Sequence, residues 1–169
     1  MTDLEKRIVD LLPRLRRYAR ALMRGDVLSA DDLVQDCVER ALSRIHLWRE
    51  GSDLRAWLFT IMHNIYANQM RRHNNGPNFV ALDNDDMTST PESTEQYLEL
   101  TRLHKAIAEL PPVQREILLL VTLEGMRYQD VAKILNVPEG TVMSKLSRTR
   151  ETLREQMGMT VARGIRRVK

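Results

Sequence analysis

The stretch Tyr128-Gln-Asp-Val-Ala-Lys-Ile-Leu-Asn-Val-Pro-Glu-Gly-Thr-Val-Met-Ser-Lys-Leu-Ser147 decides the fold. It reads as two short helices about a tight turn. Crossed helices need a small residue where they touch, and Ala132 supplies it. The turn needs a left-handed backbone residue, which Asn136 tolerates better than most. Val131, Leu135, Val137, Val142 and Leu146 then form a small core that pins the second helix to the first. That helix keeps Thr141, Ser144, Lys145, Ser147 and Arg148 for its outer face, a set suited to a DNA major groove and its phosphates. A plain helical hairpin in a bundle is the competing reading. The spacing and the basic outer face favour duplex binding.

Outward from this motif the chain continues as helices. Leu100, Leu103, Ile107 and Leu110 suit a helix stopped by Pro111-Pro112. Pro112 can open the next helix, which runs through Val113, Ile117, Leu118 and Leu120 to Leu123 and ends at Gly125. After the motif the last helix reaches about Met157, ahead of a basic tail containing Arg163, Arg166, Arg167 and Lys169.

The first half shows the same periodicity. Ile8, Leu11, Leu12, Leu15, Tyr18, Ala19 and Leu22 make an apolar face, with Pro13 marking a helix start or a kink. Gly25-Asp26 breaks that run. Ser29 or Asp31 is expected to cap the next helix, whose buried stripe is Val34, Cys37, Val38, Ala41, Leu42 and Ile45. Asp32, Gln35, Asp36, Glu39 and Ser43 lie on its other face. A third stripe is Leu54, Trp57, Leu58, Ile61, Met62 and Ile65, leading into the polar, basic run Arg71-Arg72-His73. The only strand-like pattern is Asn78–Leu82.

Composition narrows the function classes. The 169 residues are 43% hydrophobic and 5% aromatic with 7 glycines, which argues for a globular helical protein and against a β-sandwich or barrel. No apolar run approaches membrane-spanning length, and the first residues lack a signal-peptide core, so no membrane insertion and a cytoplasmic location are expected. The single cysteine excludes an internal disulfide. Net charge is +3, unevenly spread: +3 over residues 1–73, −6 over 74–100 and +6 over 101–169. Two basic halves around an acidic middle suggest a polyanion contacted twice, although on charge alone ordinary solvated helix faces fit as well. The expected fold is all-α: two small helical domains joined by a flexible linker, the second containing the helix-turn-helix. The boundaries are residues 1–74, an acidic linker 75–94, residues 95–160 and a tail 161–169.

Three ordered stretches resemble the extracytoplasmic-function group of bacterial sigma-70 factors. Asp31-Asp-Leu-Val-Gln-Asp-Cys-Val-Glu-Arg-Ala41 is similar to that family's core-polymerase-binding helix. Leu54-Arg-Ala-Trp-Leu-Phe-Thr-Ile-Met-His-Asn64 is similar to its promoter-melting helix, and resembles the general-stress group within it. Leu110-Pro-Pro-Val-Gln-Arg-Glu-Ile117, with the helix-turn-helix, is similar to its region for the minus-thirty-five element.

The resemblance implies a sigma region 2-like domain, a region 4-like domain and a role for each marked residue. Asp32, Gln35, Asp36 and Glu39 would meet the clamp helices of polymerase β′. Asn64, carrying both donor and acceptor, would hold a base flipped from the melted non-template strand of the minus-ten element. Arg71 and Arg72 would follow that strand's backbone, or, on the residues alone, equally well answer the dipole at the helix C-terminus. The partners implied are core RNA polymerase (β′ and β), promoter DNA as duplex and melted strand, and an anti-sigma factor, which in a membrane-bound form would hold the chain at the inner membrane. Met143 departs from the family, which often has a basic residue there. The spacing of Trp57 and Cys37 assigns both to packing. His46, His63, His73 and His104 form no ligand spacing, and no catalytic residue, metal or cofactor is expected. The chain is read as no enzyme, since polymerase performs the chemistry. Two alternatives are a sigma-mimicking protein that sequesters an anti-sigma factor and an autonomous helix-turn-helix repressor. The first need not keep DNA-reading residues; the second has no use for the Asp32–Gln35–Asp36 surface.

Overall fold

The computed structural model describes residues 1–74 and 94–158, all of them helix, turn or loop. The first half is α1 (Asp3–Leu22), α2 (Val27–Ser43), a single 3-10 turn (Ile45–Leu47) and α3 (Leu54–Asn74). The second is α4 (Thr94–Ala108), α5 (Pro112–Thr122), α6 (Tyr128–Leu135) and α7 (Glu139–Gln156). The expected linker interior, the Asn78–Leu82 pattern and the basic tail lie outside the described residues.

Local chemistry explains the helix ends. Thr2 and Glu5 form a reciprocal capping box that starts α1. Pro13 neither starts nor stops α1. The helix runs through it, where the preceding turn, Val9 and Asp10, faces water. Arg24 and Gly25 both take left-handed backbone (φ 61° and 81°), which turns the chain at once into α2. That early turn corrects the expected cap. Asp26, not Ser29 or Asp31, caps α2, accepting from the Ser29 backbone N–H at 3.2 Å and the Ser29 hydroxyl at 2.7 Å. The Ser29 bonds hold the Asp26 carboxyl below its usual range. Asn136 adopts the left-handed conformation the turn requires (φ 54°, ψ 51°).

The three helices of the first half bury Leu15, Tyr18 and Leu22 of α1, Leu33, Cys37 and Ala41 of α2, and Leu58, Phe59 and Met62 of α3. Tyr18 meets Phe59 edge to face at 4.9 Å between ring centres. Two expected stripe positions are corrected. Leu42 is exposed, because the buried row of α2 runs through Ala30, Leu33, Val34, Cys37 and Ala41 and leaves Leu42 off it, and Leu100 points to water on α4. Cys37 is fully buried, its thiol directed at the Leu58 carbonyl and pushed up to about 12 by burial, as its packing role requires. Trp57 is half-buried against the same core.

In the second half Ile117 and Leu120 of α5, Val131 and Leu135 of α6, and Val142 and Leu146 of α7 form the helix-turn-helix core. The two halves do not stand apart. α5 lies on α1 and α6 lies on α3, and the buried residues of both halves join one continuous core.

Candidate nucleic-acid interface

α7 crosses α6 and α5 with Val142, Leu146 and Thr149 buried beneath it. Thr149 is held there by bonds to the Lys145 carbonyl at 2.7 Å and the Gln114 side chain at 3.2 Å. At about 100° per residue, Thr141, Ser144, Lys145, Ser147 and Arg148 share roughly half the circumference, opposite the buried row. Ser144, Ser147 and Arg148 are exposed; Thr141 and Lys145 are half-buried at the edges of that face. Met143 is exposed beside them, where an apolar side chain adds no phosphate contact. The Ser144 hydroxyl bonds the Thr141 carbonyl at 3.2 Å, which anchors it within the first turn.

On α2, Asp32, Gln35, Asp36 and Glu39 are all exposed on one face, with Leu33 and Cys37 buried behind them. Gln35 donates to Glu39 at 3.1 Å, so the patch is partly ordered before any partner arrives. Leu28, 77% exposed and one turn earlier, gives this acidic face an apolar end.

On α3, Asn64 is exposed, as are Arg71 and Arg72. Arg71 donates to Asn68 at 2.8 Å, so Asn68 belongs to this polar face although the sequence reading passed over it. Leu58, Met62 and Tyr66 line the opposite side of α3, on the core and against the second half. The base-reading candidate and the packing surface therefore lie back to back on one helix.

The densest polar cluster belongs to none of these faces. It is the junction between the halves, where α5 and its C-terminal turn reach across with three charged residues. Arg115, 5% exposed, donates to the carbonyls of Leu22 at the end of α1 and of Ile107, Ala108 and Leu110 at the end of α4, at 2.7–3.1 Å. One cation thus caps two helix C-termini, where the unpaired carbonyls and the helix dipoles favour it. Its guanidinium also approaches the Tyr66 hydroxyl at 3.4 Å. Glu116 meets His63 at 2.6 Å. Burial pushes the Glu116 carboxyl above its usual range against the opposing pull of His63. Glu124 has no exposed side-chain surface and sits among Arg14, Arg17 and Arg55 at 3.4, 3.5 and 4.0 Å. Tyr18 lies beneath both carboxylates; burial first, then the Glu116 charge, raises its phenol well above the ordinary value. Among the described residues no three His, Cys, Asp or Glu side chains gather as a metal site, and no helix is long and apolar enough to cross a membrane.

Residues 8–63 match the family model described as the Sigma2 domain of PhyR, and residues 100–153 match Sigma-70, region 4. An ECF RNA polymerase sigma factor, EcfG of Rhodopseudomonas palustris, is 34% identical over 154 residues, covering 90% of this chain and 84% of the relative. A probable sigma-C factor of Mycobacterium bovis is 32% identical, covering 76% of this chain and 70% of the relative. The solved sigma factor RpoE of Bartonella quintana, in complex with the anti-sigma factor NepR, superposes with a TM-score of 0.75 at 31% identity, over 95% of this chain and 99% of that one. The anti-anti-sigma factor PhyR of the same organism shares the fold at 21% identity and a TM-score of 0.60, over 91% of this chain and 51% of that one.

Proposed function

The chain belongs to the extracytoplasmic-function group of sigma-70 factors, non-enzymatic proteins of transcription initiation, and on that premise we propose a division of labour among its exposed faces. The α2 face of Asp32, Gln35, Asp36 and Glu39 binds core polymerase. Asn64, with Arg71 and Arg72, captures and follows the melted non-template strand of the minus-ten element. Thr141, Ser144, Lys145, Ser147 and Arg148 of α7 read the minus-thirty-five element as duplex. The observation that carries this reading is that the three residue sets lie on solvent-facing sides of three separate helices of one chain, with only Thr141 and Lys145 half-buried, each set backed by a buried row. A protein that only sequesters an anti-sigma factor has no use for the Asn64 and α7 faces. The full-length likeness to EcfG, against half-length coverage of PhyR, supports the same choice. The anti-sigma factor bound to the Bartonella relative supports a similar regulatory partner for this chain.

Run-off transcription with purified core polymerase over a promoter library tests the reading. The expected result is transcripts from a subset of promoters that share two spaced elements. Core polymerase binding without any transcript would leave the sequestering role as the better account.

A further inference from the structure

α4 packs on α7, and between α4 and the C-terminal end of α7 lies an open groove of about 560 Å³. Leu100, Leu103, Leu153 and Met157 make it apolar, with Glu99 on the α4 side and Arg154 on the α7 side. Leu100 keeps the spacing of Leu103, Ile107 and Leu110, which predicts burial, yet 55% of it is open to water. An apolar groove that leaves such a position uncovered is shaped to receive a further apolar segment.

The chain that follows α7 has the chemistry to fill it. Gly158 takes left-handed backbone (φ 68°) directly after the helix, and its N–H bonds the Glu155 carbonyl at 3.1 Å. That is the inner bond of a Schellman turn, which sends the chain back across the last turn of its own helix. The apolar contact that accompanies such a turn pairs the residue after the glycine with one about six positions earlier. Here those residues are Met159 and Leu153, and Leu153 lines the groove. Beyond Met159, Val161, Ile165 and Val168 stand at i, i+4 and i+7, one face of a helix, while Arg163, Arg166, Arg167 and Lys169 fall off that face. The α4 side is its complement, with Glu99 at the groove and Glu95 one turn before it, both exposed. Arg154 repels the cations from the α7 side, which turns them toward α4. As a helix, residues 159–169 measure about 16 Å, enough to run along the stretch of α4 from Gln96 to Leu103, about 10 Å.

We propose that residues 159–169 fold back at Gly158 and dock as an amphipathic helix in the groove between α4 and the end of α7, setting Val161, Ile165 and Val168 on Leu100, Leu103 and Leu153 and the arginines along Glu95 and Glu99. A run this short is a poor helix alone and needs the groove to order it. The groove in turn needs only a weak ligand, because a segment tethered one residue away is present at about millimolar effective concentration. Any outside helix that uses this face must first displace the segment. The docking concerns the second half alone and does not depend on the sigma-factor reading.

Magnetic resonance on the full chain, with labelled Ile, Leu and Val methyl groups and amide hydrogen exchange, tests the docking. The comparison is Val161→Asp/Ile165→Asp, whose changes lie outside the packed helices and leave their folding intact. The parent should show Overhauser contacts from the Ile165 methyls to Leu100 or Leu103, and exchange across residues 161–168 slowed at least about tenfold relative to that variant. Glu95→Lys/Glu99→Lys should lose several-fold of this protection, and adding Arg163→Glu/Arg166→Glu/Arg167→Glu to it should restore most of the loss. Equal exchange in the parent and in Val161→Asp/Ile165→Asp, with the Leu100 methyls unshifted, overturns the docking. So do contacts that vanish on dilution alongside a dimer in sedimentation, since the groove then joins two copies. Leu100 and Leu103 methyls that shift only on adding core polymerase, with residues 161–168 exchanging freely, assign the groove to the polymerase and overturn it too.

Discussion

Replacing Arg115 by Met removes a cation from the junction while keeping most of its apolar stem. The guanidinium satisfies four carbonyls, those of Leu22, Ile107, Ala108 and Leu110. Hydrogen bonds to charged groups are worth about 1.5–3 kcal/mol each, so the gross loss is at least about 6 kcal/mol. Against it stands the relief of an almost fully buried charge, several kcal/mol in its own right. The carbonyls left behind are at helix ends, where water can recover part of their bonding. The net cost is then about 3–5 kcal/mol, the range found when one partner of a buried charged network is removed. For a chain of this length that lowers the melting midpoint by roughly 10 °C. A melt followed by circular dichroism on the intact protein measures it. A variant within about 1 kcal/mol of the parent would refute the reasoning, because it would show that the ends of α1 and α4 find other partners at no cost.

Other expectations follow from single side chains. Burial holds the phenols of Tyr18 and Tyr66 above the ordinary value of 10.0. Because the unfolded chain loses those protons first, their contribution is complete below pH 10 and is lost as pH rises beyond it. In an absorbance titration two of the four tyrosines should ionise only as helix is lost; one smooth step for all four with helix retained would contradict the burial. Cys37, its thiol pushed up to about 12, should resist a disulfide reagent at pH 8 in the native protein and react at once in denaturant. Fast native labelling would show that the core opens locally. Lys145→Ala and Arg148→Ala should each flatten the salt dependence of duplex binding by roughly one unit of log–log slope. A steep slope retained by both would move the DNA surface off α7.

Periodicity made most of the helices legible because the helix repeat copies itself into the spacing of apolar residues. The turn of the helix-turn-helix was legible for a sharper reason, since Asn136 is one of the few non-glycine types that accepts the backbone observed there. The start of α2 was not. Ser29, Asp31 and Asp26 are all good caps, and only the consecutive left-handed residues Arg24 and Gly25 select Asp26. The junction was the least legible part. Arg115, Glu116 and Glu124 carried no direct signal of it, because the partners they reach across the junction lie about 50 to 110 residues away in sequence. A faint signal existed: Glu116, just before Ile117 and one turn before Leu120, stands on the buried side of α5, where an amphipathic helix would place an apolar residue.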